Sequence, residues 1–256
     1  MARQTAISIN TIPIGPLGII GMPGCEELTD KIDKYLVKWR KTQAIEHAES
    51  IAFFGYQRDS YKIDITIPRF GSGEGKGVIN ESVRGYDIYI VCDVFNYSCT
   101  YNMYGKEVCM SPDDHFADLK RVISALCSKP KRVSVIMPML YEGRQHKRSS
   151  RESLDCAMAL KELVHLGVEN IITFDAHDQR VQNAIPAKSF ENVMPTYQMI
   201  KALVNNVDDL KVDKDHLMVI SPDEGALHRC IYFATQLGVN LGMFYKRRDY
   251  TRVVNG

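Results

Sequence analysis

Short, continuously apolar segments alternate in this sequence with longer segments whose apolar residues recur at helical spacing. Leu17–Gly21, 88–92, 133–137 and Asn170–Phe174 are such apolar segments. Strands that are apolar throughout, rather than at every second residue, are typical of a parallel sheet that helices cover on both faces. The pattern therefore predicts an α/β chain with doubly wound, mostly parallel sheets.

Two domains are expected from the length and from a break in this pattern. The chain has 256 residues, which suits two domains of ordinary size. The boundary between the two domains is placed at Val193 and Met194. We predict an N-terminal α/β domain over residues 1–193 and the start of a second α/β domain over residues 194–256.

Local signals add detail between the apolar segments. Ser111 followed by Pro112 and two aspartates is a helix start, because serine caps a first turn and acids favour its positive end. Apolar and polar residues alternate over 61–69, and this alternation predicts a half-buried strand. Residues 95–110 are polar, aromatic and irregular, and predict a long loop.

Composition excludes several classes of function. Lys and Arg number 32 against 31 Asp and Glu, so the chain lacks the basic excess of a protein that binds nucleic acid. No apolar run approaches the ~20 residues that span a membrane. The seven cysteines are scattered without a CxxC pair, which favours reduced thiols. We expect a cytoplasmic protein that binds neither nucleic acid nor membrane.

Polar side chains concentrate where the predicted strands end. Ligands of open parallel sheets bind beyond the carboxyl ends of the strands. Cations, carboxylates and a histidine at four such ends suit a site for phosphate and a metal ion. The residues that follow the four strands are Arg144, Gln145 and Lys147; Asp175 and His177; Asp223; and Lys246 with Arg248.

Each of these groups also has an ordinary structural explanation. A run such as 144–148 is often a solvated charged surface, and His177 can be a surface histidine. Asp223 precedes a predicted helix and is expected to cap it. The glycine-dense segment 70–77 is not a P-loop, because it lacks the GxxxxGK[ST] order and does not open a helix.

Taken in chain order, these segments resemble the ribose-phosphate pyrophosphokinases, also called PRPP synthetases. The resemblance runs from about residue 21 to residue 248, and its most specific parts are Glu-Ser-Val-Arg-Gly at 81–85 and Ser-Pro-Asp at 221–223. The other matching segments are Arg-Phe-Gly-Ser-Gly-Glu at 69–74, Arg-Gln at 144–145, Asp-Ala-His at 175–177 and Lys-Arg-Arg at 246–248.

The resemblance implies an enzyme that transfers the diphosphoryl group of ATP to ribose 5-phosphate, giving PRPP and AMP with Mg²⁺ as cofactor. It implies two domains of phosphoribosyltransferase type, assembled into homo-dimers or hexamers. The implied roles are ATP binding for Arg144 and Gln145; contact with the adenine of a neighbouring subunit for Phe70, Ser72 and Glu74; magnesium binding for His177 and Asp223; phosphate binding or support for Asp175 and Lys147; and catalysis for Lys246 and Arg248.

The sequence departs from the family pattern at several points. Ser72 stands where Asp or Asn is usual, and His146 replaces an Asp after Arg-Gln. Ala184 and Lys188 occupy a neighbourhood that is often acidic. The two-Asp, Thr-rich loop for ribose 5-phosphate does not follow Lys246–Arg248, so we expect this chain, whether naturally short or a piece of a longer protein, to bind nucleotide but form little PRPP.

The same residues are compatible with two other functions. A non-catalytic regulatory relative would use the same fold to bind nucleotide or partner subunits. The presence of both Lys246 and Arg248 favours the enzyme. A phosphoribosyltransferase shares the fold but keeps a PRPP loop that this sequence does not contain.

Overall fold

A computed structural model describes residues 13–46 and 57–246. The chain divides into two compact units, residues 1–193 and residues 194–256. In chain order, the helices and strands of the first unit are β1 (Leu17–Gly21), α1 (Glu26–Glu46), β2 (Ile65–Thr66), β3 (Val78–Ile79), β4 (Asp87–Val91), β5 (Thr100–Met103), β6 (Lys106–Cys109), α2 (Pro112–Ala125), β7 (Arg132–Met137), α3 (Asp155–His165), β8 (Asn170–Phe174) and β9 (Ser189–Val193).

The first unit is built on one five-stranded sheet, in the order β1-β4-β7-β8-β9. All four neighbouring pairs are parallel, with Ile19 opposite Tyr89 and Val91 opposite Ile136. Because successive residues of a strand face opposite sides, Ile19 and Ile20 pack into different cores. The predicted α/β fold with a mostly parallel sheet is confirmed.

The two cores explain why the strands are apolar throughout. On one face, side chains of the sheet such as Ile90 and Val135 pack in one cluster with Leu119 of α2 and Leu163 of α3. On the other face, Ile19 lies in a smaller cluster to which α1 contributes partly buried side chains. Burial at this scale is worth about 1.5–3 kcal/mol per large apolar side chain, which outweighs local propensity.

Helix α2 begins as the sequence predicts. The Ser111 hydroxyl accepts a hydrogen bond from the Asp114 amide at 3.1 Å, and the Asp114 carboxylate accepts from the Ser111 amide at 2.9 Å. Pro112 occupies the first turn. This reciprocal pair satisfies two amides that have no partner within the helix, and so fixes the entry of the chain into α2.

The predicted loop at 95–110 is wrong, because strands β5 and β6 form an antiparallel hairpin there. Its two-residue turn consists of Tyr104 and Gly105, with φ of 49° and 78°. Positive φ at both positions gives a turn whose twist matches paired strands. Tyrosine is uncommon in that conformation, so the residues at 104–105 do not predict a hairpin from the sequence.

The strand predicted at 61–69 is mostly absent from the described structure. Only Ile65–Thr66 form a strand there, paired with Val78–Ile79 as β2 and β3. Lys62 makes a single parallel bridge with Ile19 at the edge of the main sheet. Pro68 lacks the amide that would extend the pairing. The helical pattern around residues 40–60 is weak, which suggests an insertion there, and part of this segment lies outside the described residues.

The second unit contains α4 (Thr196–Asn206), β10 (Met218–Ser221), α5 (Leu227–Leu237) and β11 (Asn240–Met243). Strands β10 and β11 are parallel neighbours, and α5 connects them. The helix ends at Gly238, whose φ of 69° is the left-handed conformation of a helix C-terminus. The helix predicted to follow Asp223 is confirmed. Strand β9 and helix α4 were not predicted.

The described residues contain no helix that is both long and apolar enough to cross a membrane. All seven cysteines are free thiols. Cys25, Cys92 and Cys156 are buried, whereas Cys109 and Cys127 are exposed.

We expect the cysteines to react with iodoacetamide in an order set by burial. Burial raises the pKa of Cys25 and of Cys156 to about 11, so that at pH 8 little of either thiol is the reactive thiolate. Mass spectrometry of the native protein after short labelling should find the adduct on Cys109 and Cys127 first. Labelling of Cys25 and Cys156 at the rate of Cys109 would contradict the described packing.

Candidate functional site

Two adjacent strand ends of the first unit bring predicted site residues together. The loop after β7 carries Arg144, Gln145 and Lys147, and the loop after β8 carries Asp175 and His177. Strands β7 and β8 are parallel neighbours, so both loops leave the same edge of the sheet. This edge carries the cationic and imidazole groups of the candidate site.

His146 makes the contact between these two loops. Its Nε2 lies 3.5 Å from the Asp178 carboxylate, and its ring centroid lies 5.0 Å from that of His177. Its Nδ1 lies 3.2 Å from the Arg144 carbonyl oxygen. Sequence reasoning noted His146 only as a departure from a family pattern, because its partner lies 32 positions further along the chain.

Helix α2 anchors the loop after β7. The Tyr141 hydroxyl donates to the Asp113 carboxylate at 2.6 Å, and the Tyr141 ring stacks on Phe116 with centroids 4.2 Å apart. Burial and this hydrogen bond raise the pKa of Tyr141, so the hydroxyl stays a donor at neutral pH. The side chains of Arg144 and Gln145 are exposed to solvent and can therefore contact a ligand.

The loop after β8 is held by the end of β9. The Asp175 amide donates to the Val193 carbonyl at 3.1 Å, and the Ala176 amide donates to the Asn192 side chain at 2.8 Å. Asp175 has a φ of 45°, which aspartate tolerates better than most residues. The tight turn places His177 on the surface beside the first loop.

Asp178 is already engaged by a cation. The Arg180 guanidinium donates to both carboxylate oxygens of Asp178, and these bonds hold the pKa of Asp178 well below its usual range. The carboxylate also accepts the Arg180 amide at 2.9 Å. Asp178 is therefore charged at neutral pH and serves to order the loop.

The donor set of this edge does not form an enclosed metal site. Among residues 13–46 and 57–246, no group of three or more His, Cys, Asp or Glu side chains converges in a way that could hold a metal ion. Magnesium prefers oxygen ligands, and it often keeps its waters and binds through substrate phosphates. A magnesium ion at this edge would therefore have to arrive on phosphate groups, because the described side chains do not form a resident site.

A second predicted segment, the glycine turn Phe70–Glu74, is a tight loop of the same unit. The Phe70 amide donates to the Glu74 carbonyl at 2.8 Å, and Gly73 donates back to Phe70 at 2.9 Å. The Ser72 hydroxyl donates to the Glu74 carboxylate at 2.8 Å. Phe70 is 58% exposed, so an apolar ring and a polar pair face solvent together.

A buried ion cluster attaches this glycine turn to α2. Asp118 accepts from Arg69 at 2.5 Å and from Arg121 at 2.6 Å, and its side chain is only 2% exposed. The same Arg69 also donates to the Gly73 carbonyl at 3.1 Å. Helix α2 thus holds both the glycine turn, through Asp118, and the loop after β7, through Asp113.

The second unit brings two further predicted residues together. Asp223 follows β10 and Lys246 follows β11, and the Lys246 ammonium lies 4.0 Å from the Asp223 carboxylate. Asp223 also accepts the Ala226 amide at 3.1 Å, which confirms its predicted capping role. Arg248 lies outside the described residues. His177 and Asp223, predicted as metal ligands, belong to different units.

Comparison with known proteins gives one consistent result. Residues 17–167 match the family described as the N-terminal domain of ribose phosphate pyrophosphokinase. The chain is 27% identical over 190 residues to the ribose-phosphate pyrophosphokinase of Ralstonia nicotianae, covering 73% of this chain and 54% of that protein. With the enzyme of Helicobacter pylori strain 26695 it shares 29% identity over 189 residues, covering 72% and 52%.

A solved structure shows the same fold. The crystal structure of phosphoribosylpyrophosphate synthetase from Mycobacterium smegmatis superposes with a TM-score of 0.68 at 20% identity, covering 91% of this chain and 65% of that one. The chain spans about half the length of the curated relatives it matches.

Proposed function

The chain belongs to the ribose-phosphate pyrophosphokinase family, and on that premise we propose that it supplies the nucleotide-binding part of a ribose-phosphate diphosphokinase. The reaction transfers the diphosphoryl group of ATP to the C1 hydroxyl of ribose 5-phosphate and forms PRPP and AMP. The observation that carries the proposal is the convergence of the Arg144–Gln145 loop and the His177 loop at one edge of the sheet.

Arg144 and Gln145 are assigned to the phosphates of ATP. A guanidinium presents a planar fork of donors that matches phosphate oxygens. Lys147 adds a mobile positive charge, and Asp175 shapes the turn that presents His177. Phosphoryl-type transfer depends mainly on positioning and charge stabilisation, so a site of exposed cations held on rigid loops suits it.

Magnesium is the proposed cofactor and would bind as the complex with ATP. His177 is the proposed magnesium ligand of the first unit, and Asp223 is the proposed ligand of the second unit. When bound, magnesium would neutralise part of the phosphate charge and orient the transferred group.

Lys246 and Arg248 are proposed as the catalytic cations. The contact between the Lys246 ammonium and Asp223 supports a shared site within the second unit, since a cation and a carboxylate at one strand edge serve phosphate and magnesium together. A compact ammonium on a flexible stem can follow charge as it develops on a transferring group.

Phe70, Ser72 and Glu74 are proposed to contact the adenine of a neighbouring subunit in a homo-oligomer, a dimer or a hexamer. The exposure of the Phe70 ring beside the Ser72–Glu74 pair supports this, because a base needs an apolar face and polar edge contacts.

Product analysis tests the proposed reaction. With MgATP and ribose 5-phosphate, whatever turnover the chain supports is expected to form AMP and PRPP in equal amounts, with no AMP in the absence of ribose 5-phosphate. Chromatography of the nucleotides measures this directly. Formation of ADP instead would contradict diphosphoryl transfer.

A further inference from the structure

The β5–β6 hairpin touches the glycine turn at two points. The Tyr104 amide, at the tip of the hairpin, donates to the Gly71 carbonyl at 2.9 Å. A Cβ built on Gly73 would lie 3.0 Å from the Met103 sulfur and 3.3 Å from the Tyr101 ring. The hairpin therefore packs directly against the backbone of the turn, where a Cβ would make tight contacts and the φ of 93° favours glycine.

Tyr101 also covers the side chain that anchors the turn. The guanidinium carbon of Arg69 lies 4.5 Å from the Tyr101 ring centroid. That guanidinium already donates to Gly73 and to Asp118. A ring over the guanidinium face adds a cation–π contact and limits access of water to the ion pair. Tyr101 thus links the hairpin, the turn and α2.

The hairpin and the turn depend on each other for their conformation. An isolated two-stranded hairpin is marginal in water, so this one gains stability from the surface against which it packs. The glycine turn is a short loop with few hydrogen bonds of its own, it is attached to α2 through Arg69, and it contains a glycine at φ 93°. Loosening the hairpin would free the turn to sample other conformations without disturbing the five-stranded sheet.

We propose that the β5–β6 hairpin is a positioning element for base recognition, with Tyr101 as its central residue. It fixes the glycine turn in the conformation that presents Phe70, Ser72 and Glu74 to the base of the nucleotide. The inference rests on the proposed function and assigns to the hairpin the selectivity of the site for the base. Affinity for the phosphates depends instead on the Arg144 loop, which Tyr141 and Asp113 hold separately.

Two ligands separate these contributions: MgATP without ribose 5-phosphate, and magnesium tripolyphosphate, which lacks the base. In calorimetric titrations of the whole chain, Tyr101→Ala is expected to weaken MgATP binding about tenfold. Tripolyphosphate affinity should stay unchanged. Tyr101→Phe keeps the ring over Arg69 and should restore MgATP affinity.

Two further variants distinguish an effect of the hairpin from a general loss of structure. Gly105→Val strains only the hairpin tip, because a Cβ there meets nothing within 4 Å and φ is 78°. It should weaken MgATP in the same selective way. Tyr97→Ala removes a ring that is 59% exposed in the preceding loop and should change neither ligand.

The outcomes are distinguishable. Unchanged MgATP affinity in Tyr101→Ala, or equal weakening of both ligands, would overturn the positioning role while leaving the proposed function in place. If the unsubstituted chain bound neither ligand, the proposed function itself would be wrong, and the inference would be overturned with it.

Discussion

Replacing Asp118 by Ala should lower the free energy of unfolding of the first unit by about 3–5 kcal/mol. The Asp118 carboxylate accepts from two cations, Arg69 and Arg121, and its side chain is 2% exposed. Without it, two guanidinium groups would face each other. The Arg69 side chain is just 12% exposed, so water could not replace the lost carboxylate.

Urea unfolding followed by tryptophan fluorescence measures this change. Trp39 is the one tryptophan of the sequence and lies in α1, so its emission reports on the first unit. Asp30→Ala is the matched control, because the pair of Asp30 with Lys62 is about half exposed and should contribute little. If Asp118→Ala unfolded at the same urea concentration as Asp30→Ala, the ion cluster would not hold the turn to α2.

Replacing Arg144 by Ala should weaken binding of Mg-ADP by about 1.5–3 kcal/mol, which is roughly 10- to 150-fold in Kd. The Arg144 side chain is exposed and lies beyond the end of β7, so its loss removes charged hydrogen bonds to phosphate without disturbing the core. Arg144→Lys should recover only part of the affinity, because an ammonium keeps the charge but loses the planar fork.

Calorimetric titration of the unsubstituted protein, Arg144→Ala and Arg144→Lys with Mg-ADP measures these affinities. Lys161→Ala removes an exposed cation on α3 rather than in the loop after β7, and this control should bind Mg-ADP as the unsubstituted protein does. Equal affinity in Arg144→Ala and the control would show that the phosphates bind elsewhere.

The sheet and the strand-end loops could be predicted because both follow from local pattern. Continuous apolar runs such as Leu17–Gly21 and Asn170–Phe174 are strands at the predicted bounds. Since parallel strands end at one edge, the closeness of the Arg144 and His177 loops followed from the order of the strands alone.

The contacts that hold the site together could not be predicted, because they join residues far apart in the chain. Arg69 and Asp118 are 49 positions apart, and Tyr141 and Asp113 are 28 apart. Nothing in the local sequence of Asp118 distinguishes it from an exposed helix aspartate. The hairpin was missed for a different reason, since Tyr104 occupies a turn position where Asn or Gly is the usual signal.

A crystal structure of the chain with Mg-ADP would show whether nucleotide phosphates bind at the edge formed by β7 and β8. Phosphate oxygens are expected within about 3 Å of the Arg144 guanidinium, with His177 beside the magnesium ion. Density for the nucleotide at another surface, with no nucleotide atom near Arg144 or His177, would contradict this expectation.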